Sequence, residues 1–322
     1  MSSAFVIPHY AEFCEKNNRL FIFDTLEGLF KQTDPDWQAI IIDDNSTEFK
    51  IKKELQNIKK KYYPQIDVIF LDRNVGPGIC RNIGVIYAKN HQCGIIHFND
   101  ADDISHPQRV EIVKNTFLQD PAIGLIYSSF KVINEFNELV PFEKISVPIL
   151  EIMETHISKP LEGDDVWLNM GTDTGYINKT SATSVRTMFA YECPFPNERA
   201  SEDYHTWLRI AALGARYKYV SDIPTLYRIP SFMQYQASRT RLGPKKFNQI
   251  KARVDSDGFS RAIDIAIARN RIKPEEIPAL KSKFYKRLAK SMERDQEYEL
   301  TRKLLEISKQ FEDEMSLYQL NL

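Results

Sequence analysis

Long apolar runs are missing from this sequence of 322 residues. No segment approaches the ~18 residues that a membrane-spanning helix needs, so the chain is expected to work in the cytoplasm, with docking on the inner membrane face as the alternative. An excess of one charge is missing too. The 43 basic and 44 acidic residues leave a formal net charge of −1, which excludes the concentrated basic face of a nucleic-acid binder. Cysteine is scarce: Cys14, Cys80, Cys93 and Cys193 are scattered, with no CxxC pair and no histidine at zinc spacing. That excludes a disulfide framework and favours reduced, buried thiols. There are no repeats or low-complexity tracts, and the first residues run into a strand-like Ala4-Phe5-Val6-Ile7 with no basic-then-apolar leader. What remains is an ordinary globular balance, long enough for one large domain and a smaller one.

Against that background one stretch stands out: His97-Phe98-Asn99-Asp100-Ala101-Asp102-Asp103, which closes the apolar run Gly94-Ile95-Ile96. Three carboxylates in four residues repel one another, and a divalent cation among them removes the repulsion. On an extended backbone Asp100 and Asp102 point to the same face and can hold one hard ion. Mn²⁺ or Mg²⁺ in such a site is commonly completed by a substrate's diphosphate oxygens. The simpler alternative is a solvated acidic turn, with Asp103 or Ser105 capping the next helix.

The surrounding pattern alternates strands and helices. Residues 4–7 read as a strand stopped by Pro8, and a helix follows from about Asn17 to Lys31 with Leu20, Phe23, Leu26, Leu29 and Phe30 at helical spacing. Trp37 to Ile42 reads as a second strand, 47–63 as a lysine-rich helix on Ile51, Leu55 and Ile58, and Asp67 to Leu71 as a third strand. Asn74-Val75-Gly76-Pro77-Gly78 turns into a helix reaching about Asn90, and Cys93 to Phe98 is the fourth strand. This order predicts the α/β class: a mostly parallel sheet with helices on both faces. Ligands of such sheets sit at the carboxyl ends of the strands, where Pro8-His9-Tyr10, Asp43-Asp44, Arg73-Asn74 and Asp100 to Asp103 all fall. Each group also reads as a turn or cap; four at one sheet edge suggest a nucleotide site.

Phe5-Val6-Ile7-Pro8-His9-Tyr10, Ile42-Asp43-Asp44-Asn45-Ser46, Asn74 to Gly84 and Asp100-Ala101-Asp102-Asp103 resemble, in order and spacing, the motifs of family 2 glycosyltransferases with the GT-A (Rossmann-like) fold. A second block, Ser201 to Arg209 followed by Gly214-Ala215, Val220 and Leu226-Tyr227-Arg228, is similar to the family's Glu-Asp segment. Together the blocks cover most of residues 4–230. The resemblance implies a metal-dependent, inverting transfer of a sugar from a nucleoside-diphosphate donor, UDP-sugar by default, to an acceptor hydroxyl. It assigns the metal to Asp102 with Asp100, leaves Asp103 a weaker candidate, and places the nucleotide sugar at Pro8, Tyr10, Asp43, Asp44, Arg73, Asn74, Gly76, Arg81, Asp100 and Ala101. For Arg73 and Arg81 a plain surface charge is the alternative.

Asp203 is the expected general base, since an inverting transfer needs a carboxylate opposite the leaving group. Glu202 either shares the role or orients a neighbour. Ser201-Glu202-Asp203 also reads as a helix start with Ser201 as cap, a purely structural alternative. His205, Arg239 and Arg241 are candidate diphosphate or acceptor contacts, with a packed histidine and an exposed linker as alternatives. Glu162-Gly163-Asp164-Asp165 lacks a preceding strand and reads as a solvated turn. Asn178 to Arg186 reads as a strand toward the acceptor side. Tyr191-Glu192-Cys193-Pro194-Phe195 departs from the family's Gly-Gly-Phe-like turn, so the acceptor class is left open.

The expected organisation is a transferase domain over 1–235, with a nucleotide-sugar half to about 110 and an acceptor half beyond it. A polar loop over Ser231 to Lys246, suited to ordering over substrate, and amphipathic helices complete 236–322. Those helices would pack on the catalytic domain or form a homodimer contact. Two rivals remain: a sugar nucleotidyltransferase, against which the absence of a Gly-rich basic signature after the first strand counts, and a catalytically silent nucleotide-sugar-binding relative.

Overall fold

A computed structural model describes residues 1–11, 20–230 and 238–320 of the chain, with side chains up to residue 315. The strands are β1 (Ser3–His9), β2 (Trp37–Asp43), β3 (Ile66–Phe70), β4 (Ile95–Phe98), β5 (Ile123–Ile133), β6 (Thr183–Arg186) and β7 (Arg216–Arg228). They form one sheet in the order β3-β2-β1-β4-β6-β5-β7. Every neighbouring pair is parallel except those made by β6, which runs antiparallel to both β4 and β5. The helices are α1 (Ile22–Phe30), α2 (Phe49–Tyr62), α3 (Pro77–Asn90), α4 (Arg109–Gln119), α5 (Val147–Ser158), α6 (Val166–Asn169), α7 (Thr187–Glu192), α8 (Glu202–Ala212), α9 (Ser238–Leu242), α10 (Pro244–Ala268), α11 (Ile277–Arg294) and α12 (Tyr298–Leu320).

Strand alternation divides the core in two. Ala4, Val6, Ile40 and Ile42 face α3 through Cys80, Val85 and Ala88. Phe5, Ile7, Ala39 and Ile41 face Leu26 and Leu29 of α1 and Ile51, Leu55 and Ile58 of α2. Each fully buried Ile or Val here contributes roughly 1.5–3 kcal/mol of transfer free energy. The first core does not stop at the sheet. It continues through Trp207 and Leu208 of α8 into Phe259 and Ile263 of α10 and Phe284 and Leu288 of α11. Of the two roles expected for the C-terminal helices, packing on the sheet region is therefore present.

Several boundaries move. β1 runs through Pro8 rather than stopping before it. The Val6 carbonyl accepts from Asn99 on the β4 side and the His9 carbonyl from Asp44 on the β2 side. By alternation the Pro8 nitrogen faces the β4 side, where pairing with β4 has ended at Val6, so its missing N–H breaks no ladder bond. Helix α1 begins at Ile22, and residues 17–19 of the expected helix lie outside the described residues. The same holds for 231–237, which include the expected 235/236 boundary and the first half of the polar loop. Only Thr183–Arg186, the last four residues of Asn178 to Arg186, is strand; Thr180–Ala182 is a 3-10 turn. Among the described residues no helix is long and apolar enough to cross a membrane. Cys80, Cys93 and Cys193 are buried free thiols, as expected of reduced cysteines.

Candidate active site

The carboxyl ends of β1, β2 and β4 meet at one edge. At the end of β2, Asp43 is fully buried; its Oδ1 lies 3.1 Å from His9 Nδ1 and accepts the Ser46 hydroxyl at 2.5 Å. Burial pushes this carboxyl up, but the bonds to His9 and Ser46 outweigh it and hold it below the usual range. Asp44 turns the other way and accepts the backbone N–H groups of Val75 (2.6 Å) and Gly76 (2.8 Å). It thereby fixes the loop that starts α3. Gly76 has φ +93°, open to glycine, and the Arg199 guanidinium packs against the place a side chain would take. Arg199 also donates to Asn74 Oδ1 at 2.7 Å, while Arg73 is exposed and forms no ion pair among the described residues. Pro8 closes β1, and Tyr10 beyond it is 40% exposed.

The three acids after β4 are sorted by burial. Asp103 is fully buried, and its Oδ1 accepts the Arg228 N–H at 2.7 Å. Burial, then the charges of Asp102 and Asp100, push this carboxyl far up. Asp102 is half-buried; burial and then the Asp100 charge raise it to about 6. No side chain among the described residues forms an ion pair with it. Asp100, with its side chain 31% exposed, pairs with Arg81 at 2.8 Å. The turn is tied down from three directions. Thr25 donates to the carbonyls of Ala101 and Asp103, Arg228 Nε to that of Asp102, and the Ser181 hydroxyl accepts the Asp100 N–H. Beneath it the buried Arg109 donates to the carbonyls of Phe98, Ser181 and Thr183.

Arg81 joins this turn to α8. Its Nη1 donates to Glu202 Oε1 at 2.8 Å while Nη2 holds Asp100. Burial works against the guanidinium's charge, and Asp100 and Glu202 more than offset it, so its pKa is raised. Glu202 is pushed up to about 7 by burial and the Asp203 charge, with Arg81 opposing. Asp203 is half-buried. Its Oδ1 accepts the Tyr176 hydroxyl at 2.7 Å and the Tyr204 N–H at 2.8 Å, and its Oδ2 accepts Thr180 Oγ1 at 3.3 Å.

Ser201, His205 and Arg239 have partners toward the C-terminal helices. Ser201 does not cap α8: it sits at φ +64° with no side-chain cap bond, and its hydroxyl donates to Asp255 of α10 instead. His205 is turned into α10, 2.8 Å from Asp257, where burial first and Arg209 next lower its pKa. It packs against Gly258, the arrangement of the packed-histidine alternative. Arg239 is engaged by Asp295 at the end of α11, whereas the charge of the exposed Arg241 reaches Asp102 and lowers its pKa. Glu162, Asp164 and Asp165 pair with Lys218, Arg216 and Arg271, as befits a surface turn.

Residues to which the sequence assigns no site role complete the site. Lys179 lies in the field of Asp203, Asp103 and Asp100 with its amine 5.0 Å from the Tyr227 ring centre; burial outweighs those acids and lowers its pKa. Tyr176, Thr180, Ser181 and Arg228 hold the acids at ranges of 23 to 126 residues in sequence; Thr180, Ser181 and Arg228 lie in stretches the sequence singles out, but nothing local ties them to these acids. Among the described residues no three His, Cys, Asp or Glu side chains converge into a metal cage. Asp102 and Asp100 nevertheless suit a divalent ion, because Asp102 forms no ion pair among the described residues and the two carboxylates face like charge.

The sequence profile of the family described as "Glycosyl transferase family 2" matches residues 5–181. TuaG of Bacillus subtilis, a glycosyltransferase assigned provisionally to teichuronic acid biosynthesis, is 24% identical over 200 residues, 62% of this chain and 69% of its own. An uncharacterized glycosyltransferase of Methanocaldococcus jannaschii is 25% identical over 67% of this chain and 68% of its own. Among solved structures, S. aureus TarS 1–349 in complex with UDP-GlcNAc superposes with a TM-score of 0.54 at 17% identity, covering 96% of this chain and 92% of that one. GalNAc-T7 with UDP, GalNAc and Mn²⁺ gives 0.55 at 16% identity, covering 79% and 47%.

Proposed function

The chain belongs to glycosyl transferase family 2, and we propose that this glycosyltransferase takes a UDP-linked sugar as donor and inverts the anomeric centre in one displacement. The base and ribose lie along the edge built by Pro8, Tyr10, Asp43 and Asp44, and the diphosphate lies toward Asp100 and Asp102. Asp203 takes the acceptor's hydroxyl proton as its oxygen bonds to the anomeric carbon and the bond to the diphosphate breaks. Glu202 positions Arg81 rather than acting as a second base. Mn²⁺ or Mg²⁺ held by Asp102 and Asp100 would neutralise charge developing on the leaving diphosphate. Residues 1–235 carry the transferase machinery and 236–322 the helical region that supports it.

The observation that carries this reading is the Arg81 bridge, 2.8 Å to Asp100 and 2.8 Å to Glu202, which brings the acidic turn and the start of α8 to one place. The UDP complexes of the superposable structures support the donor class. The test is a thermal-shift panel of UDP, dTDP, GDP, CDP and ADP, each with Mn²⁺ and with EDTA. Because a ligand that binds only the native state raises the Tm, no acceptor is needed. Stabilisation by UDP with Mn²⁺ that EDTA removes is the expected result. No stabilisation by any nucleotide would make the silent relative the better reading.

A further inference from the structure

A chain of hydrogen bonds runs from Asp203 into the C-terminal helices, and it contains one proton too few. Asp203 Oδ1 lies 2.7 Å from the Tyr176 hydroxyl, which lies 2.9 Å from Ser201 Oγ, which lies 2.5 Å from Asp255 Oδ1. Asp255 is fully buried on α10, and Lys251, one turn earlier, pairs with its other oxygen at 2.5 Å. Three oxygen–oxygen contacts need three protons, but with both carboxylates ionised Tyr176 and Ser201 supply only two. Either the Tyr176–Ser201 contact or a carboxylate contact is then left as two lone pairs facing each other, which is costly in a site half-buried at Tyr176 and Asp203 and buried at Ser201 and Asp255. A proton on Asp203 Oδ1 completes the set: Asp203 then donates to Tyr176 in place of accepting from it, Tyr176 donates to Ser201, and Ser201 to Asp255. The Tyr204 N–H on Oδ1 and Thr180 on Oδ2 remain as the two donors that favour the ionised form. A proton on Asp255 would also complete it, but the Lys251 ammonium disfavours that end.

We propose that the Tyr176–Ser201–Asp255–Lys251 array, anchored on α10, is built for the protonated form of Asp203 and so strengthens that carboxylate as a base. This rests on the reading of Asp203 as the group that takes the acceptor's proton. In the balanced step the acceptor O–H bond breaks, its proton ends on Asp203, the new glycosidic bond forms and the diphosphate leaves. Tyr176, Ser201, Asp255 and Lys251 are positioning residues in this scheme. Other charged or titratable groups facing Asp203 are Lys179 before β6, Glu202 on its own helix and Tyr227 on β7. None of their side chains is hydrogen-bonded to the Ser201 hydroxyl, whose partners among the described residues are Tyr176 and Asp255, so a change at Ser201 acts on the array first.

Ser201→Gly removes the hydroxyl at a φ of +64°, where glycine sits without strain. Carboxyl-carbon NMR on the ¹³C-labelled full chain, assigned with Asp203→Asn and Asp255→Asn, follows both groups. The Asp203 midpoint is expected to move to lower pH by about half to one unit in Ser201→Gly, the size of one net hydrogen bond. The Asp255 signal should stay put in both proteins. An unmoved Asp203 midpoint, or titration of Asp255 in its place, would overturn the proposal. UDP release from UDP-GlcNAc with water as acceptor tests the underlying reading separately. If Asp203→Asn keeps that activity, the base lies elsewhere whatever the array does. If it loses the activity while Ser201→Gly leaves the midpoint unmoved, Asp203 stands as the base and the array is only structural.

Discussion

Two clusters of carboxylates face each other across Arg81, and they are kept in place by opposite means. After β4, three acids are crowded onto one turn and fixed almost wholly through backbone groups; burial and their mutual charge raise the pKa values of Asp102 and Asp103, and neither forms an ion pair among the described residues. At the start of α8, Glu202 has Arg81 and Asp203 has Tyr176 and Thr180. The first arrangement makes ionising all three acids together costly, which suits a group that an outside cation would complete. The second spends side chains on fixing one carboxylate, which suits a group that must meet a proton at a set position.

The strongest way to break the comparison is at Asp203. Asp203→Asn is expected to lower transfer by about two to four orders of magnitude while leaving UDP-dependent stabilisation unchanged. Transfer near the wild-type rate would return Asp203 to a structural role. Next is the bridge itself. Arg81→Met strands a buried Glu202 and a half-buried Asp100, and chemical denaturation should show a loss of about 3–5 kcal/mol. A loss under ~1 kcal/mol would mean that the clusters are not coupled through Arg81.

Asp102→Asn comes third: it should abolish the Mn²⁺ dependence of UDP binding without lowering stability in EDTA. In wild type the same Mn²⁺ effect should fade as pH drops through about 6, because Asp102 must be ionised to hold the ion. The smallest expected effect is on stability alone. An acid whose folded pKa is raised stabilises the fold while protonated and loses that contribution as pH climbs from the ordinary value of 3.8 toward about 6. In EDTA the Asp102→Asn variant should therefore gain on wild type in Tm across that window. A difference independent of pH would show that Asp102 is not strained by burial and Asp100.

The residues themselves determined the parallel half of the sheet, because alternation along Phe5-Val6-Ile7 and Ile40-Ile41-Ile42 and the helical stripe of α2 are short-range patterns with one compact solution. They also marked the sheet edge at which Asp43, Asp44 and Asp100 to Asp103 gather, since carboxyl ends of parallel strands share that edge by construction. Which acid does what was decided only in three dimensions. Asp103 is sealed by Arg228 at a separation of 125 residues, Glu202 is claimed by Arg81 at 121, and Ser201 is drawn from capping its own helix to Asp255 at 54. Sequence spacing carries no record of such contacts. They form because packing α8 and α10 into one core, with Ile177 and Val185 on either side of the turn at Thr180–Ala182, brings polar groups together that must then find partners with one another.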